Sequence, residues 1–160
     1  MICAVDIGVT GAIAFQIGGE ASVEDIPNFI HKVGKKNRTE VDQAALAELL
    51  LANLNSDSLV LLERVGPRPH DGAIQSFKFG RTAGILEGIL VAAGVKAKYV
   101  TPQSWKKKFQ LSADKNESLD LARTLFPELA QELKLKKHHN RAEALLLLRY
   151  AEKYLLGGEQ

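Results

Sequence analysis

Apolar residues crowd the opening segment ICAVDI (2–7), which reads as a strand with a carboxylate at its end, and Gly8 and Gly11 then mark a turn. AIAFQI (12–17) resumes as a second strand, and Gly18-Gly19 makes a hairpin turn into a third around residues 20–26. Residues 27–39 read as a polar, basic loop. From Val41 to Leu54 the apolar positions Val41, Ala44, Ala45, Leu49 and Leu51 suit an amphipathic helix. SLVLLE (58–63) is a short continuous apolar run that fits a strand buried on both faces, and it too closes on an acid.

Gly66-Pro67 and Pro69 break the chain, and Asp71 is placed to cap a long helix over 71–93. Its apolar side includes Ile74, Phe77, Ile85, Leu86, Ile89 and Leu90, and Gly94 ends it. VKAKYV (95–100) supplies a fifth strand. Thr101 then caps a short helix with Pro102 in its first position. Ser112 introduces a helix to about residue 125, ended by Pro127, and a last helix runs from His139 or Asn140 to Leu156. Three strands joined by hairpins, then helix–strand alternation, predict an α/β fold: a five-stranded mixed sheet with helices on both faces. No repeat or linker divides the chain, so one domain is expected over 1–156, with 157–160 as a tail.

At 160 residues, 46% hydrophobic and 25% charged, such a domain needs no staple to bury its core. Cys3 is the only cysteine, which excludes a Cys zinc cluster or an internal disulfide and suggests a core residue. The first segment lacks a basic n-region, and the later run ALLLLRYA is far too short to cross a bilayer. The expectation is a soluble protein of the cytoplasm, with no membrane partner. Net charge is only +2, but the lysines cluster. Lys106, Lys107 and Lys108 are consecutive, and Lys134, Lys136, Lys137, His138, His139 and Arg141 crowd a second stretch. Either cluster is a solvated surface or a phosphate-binding one.

Asp6 and Glu63 both end strands expected to be central, at the sheet edge where α/β proteins bind ligands. Neighbouring strands lie about 4.8 Å apart, so acids on two of them can share a metal ion. Glu143 lies near the start of the last helix, and Asn140, three residues earlier, shares its face. Three or four oxygen ligands suit Mg²⁺ or Mn²⁺, and two such ions roughly 4 Å apart support phosphodiester hydrolysis. Each acid also has an ordinary explanation: a turn former at Asp6, a strand-end surface residue at Glu63, a helix-dipole partner at Glu143.

Four segments taken in order resemble the RuvC-type Holliday junction resolvases, above all their phage and prophage members. They are DIGVTGAIA (6–14), LLERVGPRPHDGAIQSFKFGRTAGILEGIL (61–90), VTPQSWKKKF (100–109) and HHNRAEALLLLRYA (138–151). The resemblance covers nearly the whole chain and implies a ribonuclease H-like fold. It implies a structure-selective, metal-dependent endonuclease that cuts four-way junctions and related branched DNA by paired nicks. A homodimer would make those nicks in a bacterial or phage-infected cell, with Mg²⁺ or Mn²⁺ and no small-molecule cofactor. By similarity Asp6, Glu63 and Glu143 fall on the family's catalytic acids. Asn140 falls on the remaining catalytic metal-site position, where the family usually has aspartate or sometimes histidine; its amide offers one neutral oxygen to an ion but neither charge nor a base, unless His139 contributes instead. The helix over 71–93 resembles the family's dimer helix, although its Gly80, Gly84 and Gly88 suit packing on the sheet just as well.

For DNA, the resemblance places the loop after Glu63 near a junction's branch point, with Arg64, Arg68 and His70 as phosphate contacts and Arg81 as a backbone clamp. Phe77 and Phe79 cannot share one helix face, so one is core and the other is free for the partner subunit or a base. Lys106, Lys107, Lys108 and Lys115, with Lys137, His139 and Arg141, are the remaining candidate DNA contacts. Trp105 is either an apolar anchor or a stacking platform. His138 and His139 lack the companions a zinc site needs. Two other readings compete. DIGVTG also resembles the phosphate loop of actin-like ATPases, which close two such domains around a nucleotide. Asn140 also admits a junction-binding protein whose nuclease is impaired.

Overall fold

β1 (Ile2–Asp6) pairs antiparallel with β2 (Ala12–Ile17), which sets Asp6 opposite Ala12. At Gly11, in the turn between them, a Cβ atom would overlap the Asp6 carbonyl oxygen, so only glycine fits. Gly18 and Gly19, at φ +61° and +93°, form the two-residue hairpin into β3 (Glu20–Asp25). Both lie in the left-handed region that a type I′ turn demands. The structure is a computed structural model that describes residues 1–64, 66 and 72–157.

The loop expected over 27–39 is instead a second hairpin. β4 (Asn28–Val33) pairs with β5 (Lys36–Val41) as a two-stranded sheet of its own. Gly34, at φ +61°, takes the first central position of its two-residue turn. Its lysines and exposed apolar residues hide the strand, because neither face is buried enough to show a clean alternation. β5 also takes Val41 from the expected helix. α1 (Gln43–Asn53) therefore starts after Asp42, whose carboxylate accepts from the Ala45 amide. Its buried positions are Leu46 and Leu50, four apart, whereas Leu51, expected on the apolar side, is exposed.

β6 (Leu59–Glu63) returns beside β1 in parallel, and α2 (Ala73–Ala92) follows with Gly72 at its N-cap. The expected cap Asp71, with Pro67 and Pro69, lies outside the described residues, as do residues 158–160 of the expected tail. α2 buries Thr82, Leu86 and Leu90, but Ile74 and Phe77 stand exposed. The apolar stripe of the sequence is thus core only in the helix's second half. β7 (Ala97–Val100) completes the sheet in the order β3-β2-β1-β6-β7, parallel across β1, β6 and β7. α3 (Pro102–Lys108) carries the expected Thr101 cap. α4 (Lys115–Leu125) is capped by Asp114 rather than Ser112, whose hydroxyl accepts from the Asp114 amide one turn earlier. α5 (His139–Tyr150) ends in a π-helical turn over Ala151–Leu156.

Side-chain alternation divides the interior into two cores. Ile2 and Ala4 of β1, Ala12 and Ala14 of β2 and Leu61 of β6 face α4 and α5, with Trp105 among them. Cys3, Val5, Ile13, Phe15, Val60 and Leu62 face α1 and α2. Five consecutive residues of α5, Ala144 to Leu148, are buried, so the helix is covered all round by the sheet and α4. The expected five-stranded mixed sheet with helices on both faces is what the chain forms.

Candidate active site

The register of β1 and β6 fixes the first two acids. Val5 pairs with Leu62, so Asp6 and Glu63 are the next residues on adjacent parallel strands. By alternation both follow Ala4 and Leu61 onto the α5 side of the sheet. Both are nearly buried, at 8% and 6% exposure. Glu143 reaches the same edge from the start of α5, the helix that packs across β1 and β2. Burial pushes the Asp6 carboxyl well above its usual range, and the charges of Glu143 and Glu63 push it further. Lys115 and Lys106 pull it partly back. Three acids from distant parts of the chain thus share one electrostatic site.

Partners hold two of these acids. Trp105, fully buried on α3, donates its indole N–H to Oε1 of Glu63 at 2.8 Å. The side chain is therefore an anchor facing inward and not a stacking platform. Lys106, the next residue, places Nζ 2.7 Å from Oε1 of Glu143 and 5.2 Å from the Trp105 ring centre. Among the described residues, no three His, Cys, Asp or Glu side chains already converge as a finished cation cage. Glu143 is drawn to Lys106 instead. The oxygen-only, anionic donor set can nonetheless hold a hard divalent cation once Glu143 leaves the lysine.

Asn140 sits on the first turn of α5 and donates from Nδ2 to the Thr10 carbonyl at 2.5 Å. It pins the helix start to the β1–β2 turn that follows Asp6. His139 stands beside it, with Nε2 2.8 Å from Nζ of Lys115 and Nδ1 3.4 Å from the Lys136 carbonyl. In the tautomer that serves both contacts, Nδ1–H donates to Lys136 and Nε2 accepts from Lys115. Lys106 and Lys115 therefore flank the acids from α3 and α4.

The other candidate DNA contacts divide by what they touch. Lys107 and Lys137 are exposed, and Lys108 lies 4.9 Å from the Tyr154 ring centre. Arg64 lies over Tyr99, 5.4 Å from its ring centre. Arg81 pairs with Glu40 of β5 at 3.0 Å. Arg141 is turned inward. Its Nε and Nη2 grip both carboxylate oxygens of Asp25, at 2.7 and 2.8 Å, and its Nη1 reaches Glu132 at 2.5 Å. That guanidinium holds the Asp25 carboxyl below its usual range. It clamps the end of β3 to α5 rather than pointing a free charge at solvent. Arg68 and His70 lie outside the described residues.

Sequence reasoning did not find the Trp105–Glu63 bond. The signal was available: a lone tryptophan at apolar spacing, one turn after the strand beside β6, has one donor that burial obliges it to satisfy.

No protein-family model matches the chain. Over 85 residues it is 35% identical to the chloroplastic Holliday junction resolvase MOC1 of Chlamydomonas reinhardtii, a match spanning 52% of this chain but only 10% of that protein. Among solved structures, Thermus thermophilus RuvC in complex with a Holliday junction substrate superposes with a TM-score of 0.59 at 15% identity. That comparison covers 98% of this chain and 96% of the other. A second Thermus thermophilus RuvC structure gives 0.56 at 18% identity over the same shares. The fowlpox virus resolvase bound to Holliday junction DNA gives 0.50 at 17%, covering 96% of this chain and 99% of that one. The mixed sheet, its strand order and its two helical layers are thus the ribonuclease H-like fold of the RuvC resolvases.

Proposed function

We propose that this chain is a structure-selective, divalent-metal-dependent endonuclease of four-way DNA junctions and related branched DNA, acting as a homodimer that makes paired nicks. One observation carries the reading. Asp6 and Glu63 end adjacent central strands, and Glu143 acts on Asp6 from the start of α5, with burial and the charges of both glutamates raising the Asp6 carboxyl, in a fold shared with resolvases solved on junction DNA. Burial beside two other acids disfavours the ionised form of Asp6, and a cation bound there would relieve that cost.

Asp6, Glu63 and Glu143 would hold Mg²⁺ or Mn²⁺, two ions by the expected chemistry, which when bound polarise the scissile phosphate and lower the pKa of the attacking water. The chain's own residues prepare that site. Trp105 fixes the Glu63 carboxylate, leaving it little freedom to rotate away from its strand end. Lys106 neutralises Glu143 before loading, and its ammonium is then free to meet a phosphate oxygen of the substrate. Lys115, backed by His139, presents a second cation from the other side. Buried Asp6, already crowded by negative charge, would be relieved by a cation.

Lys107, Lys108 and Lys137 add exposed positive charge on α3 and just before α5, and Arg64 directly follows Glu63. Bound along the phosphate backbone, they would position DNA without reading its sequence. α2, with Ile74 and Phe77 exposed on its first half, is the surface on which a second copy would dock.

A second reading rests on Asn140. With its amide nitrogen committed to Thr10 and no charge to offer, it weakens the ion site relative to an aspartate. A junction-binding protein with impaired cleavage follows if the three remaining acids do not suffice. Cleavage of a labelled four-way junction in Mg²⁺ or Mn²⁺ separates the two, with Glu63→Gln as control. Symmetric nicks by the wild type and none by the variant support the nuclease. Tight junction binding without nicks by either supports the clamp. Nucleotide affinity without junction binding would favour the actin-like alternative and end both.

A further inference from the structure

The β4–β5 hairpin stands apart from the main sheet and takes no part in the acidic site. We propose that it is a second DNA-binding element, a basic β-ribbon that lies against the phosphate backbone of one duplex arm. The assignment rests on the reading that this protein binds branched DNA.

Charge is the first reason. Lys32, Lys35, Lys36 and Arg38 lie within seven residues, and all four are exposed. Among the described residues none of them forms an ion pair. The ribbon's one carboxylate, Glu40, is occupied by Arg81 at 3.0 Å and faces His31 at 3.6 Å. Four cations have thus been gathered on one small element and left without internal partners.

Shape is the second. The register sets Lys36 and Arg38 on the face with Phe29, His31 and Val33, and Lys32 on the face with Ile30 and Asn37. Lys35 occupies the turn beside Gly34. Cations therefore stand on both faces and at the tip, beyond the base where Glu40 meets Arg81 of α2, and Arg38 lines the cavity between β5 and that helix. The major groove of duplex DNA admits a two-stranded ribbon. Six-residue strands extend about 20 Å at roughly 3.3 Å per residue, the length of about six nucleotide steps along one strand.

Placement is the third. The ribbon's base is tied to the row of the sheet that holds Asp6. Ile26 N–H donates to the Gly11 carbonyl at 2.9 Å, and Asp42 N–H closes the hairpin onto the Pro27 carbonyl at 2.9 Å. Lys78 of α2 reaches the Thr39 carbonyl at 3.4 Å and braces the β5 side. DNA held at the acids would thus pass close to the root of the ribbon, whose cations would add contacts farther along an arm.

The test compares wild type with K32A/K35A/K36A/R38A for binding to a labelled four-way junction and to a linear duplex, without divalent cations and across a salt series. Losing about three or four phosphate contacts should flatten the slope of log affinity against log salt by about three and weaken both ligands more than tenfold near 0.1 M salt. Cleavage at saturating protein should be unchanged, because no ribbon residue belongs to the acidic site. K32R/K35R/K36R should bind as wild type does. Lysine acetylation of the wild type, read by mass spectrometry, covers the case in which the quadruple variant misfolds: Lys32, Lys35 and Lys36 should be protected by junction DNA. Equal salt slopes, or no protection by DNA, overturn the assignment. So does self-association of the variant at unchanged slope, which would mean the lysines only keep the open β4 edge from pairing. Protection that grows with protein concentration in the absence of DNA would assign the ribbon to a second copy of the chain. A wild type that binds and cuts junctions while the ribbon variants match it fails this inference alone. A wild type that binds no DNA fails the proposed function itself.

Discussion

The indole N–H of Trp105 and Oε1 of Glu63 lie 2.8 Å apart, both side chains buried, 42 residues apart in the chain. This joins the short helix α3 to the end of β6 through an acid of the proposed ion site. Trp105→Phe keeps most of the ring and removes the donor. A hydrogen bond to a charged group is worth about 1.5–3 kcal/mol, so denaturant unfolding should show a loss of about that size. Junction cleavage should fall in maximal rate more than in DNA affinity, because a loss of this bond shifts Glu63 and so misplaces the ion and not the DNA. An unchanged rate would remove Trp105 from the positioning role.

Asp6 is held against its own electrostatics, buried and repelled by Glu63 and Glu143. Asp6→Asn removes the charge and keeps the shape. In a chelator the variant should therefore melt higher than wild type, with Tm rising by about 2–4 °C for each kcal/mol of relieved repulsion. Cleavage should drop by on the order of a hundredfold or more, since a ligand to the ion is lost. Mg²⁺ or Mn²⁺ should raise the melting point of wild type more than that of the variant. A variant less stable than wild type in chelator would contradict the crowding of charge at this edge.

Asn140→Asp trades the donor that binds the Thr10 carbonyl for a fourth carboxylate. The variant should lose roughly 1 kcal/mol in chelator, where a carboxylate faces a carbonyl oxygen, and recover it when divalent cations are added. Cleavage should hold or rise. A clear loss of activity in matched assays would reject the idea that asparagine weakens the site.

The Asp25–Arg141 clamp gives the protein an acid-sensitive contact in the row of the sheet that holds Asp6, two strands away on β3. Arg141 holds the Asp25 carboxyl below its usual 3.8. A depressed folded-state value means stabilisation that is present above the unfolded value and is lost as pH falls through the folded one. Asp25→Asn should thus be less stable at neutral pH and should lose less stability between about pH 5 and pH 2 than wild type does. Parallel acid-unfolding curves for the two proteins would show that the clamp contributes nothing.

The parts of this fold written in local chemistry could be read from the chain. Gly18-Gly19 names its own turn, Thr101-Pro102 its own helix start, and the apolar runs ending at Asp6 and Glu63 their own strands. The β4–β5 ribbon was hidden because a hairpin with little buried on either face does not need alternation, and its lysines resemble those of a loop. The buried face of α1 was misread because Val41 belongs to the preceding strand and shifts the helix start. Within the proposed site, the three acids could be named as candidates from their places at element ends. The bonds of Trp105 and Arg141 could not, because a long-range partner such as Glu63 or Asp25 is fixed by strand register and helix docking rather than by neighbours in sequence.

α5 carries both Asn140 and Glu143 on its first turns, and its middle is walled in on every side by leucines and alanines. A rod set into the molecule in this way cannot slide or swing without tearing open the interior, and truncating one such leucine would cost about 2–5 kcal/mol. The proposed cutting edge is therefore a fixed anvil. If branched DNA is the substrate, its strands must bend and unstack to bring a phosphate to the acids, and duplexes too stiff to yield are spared.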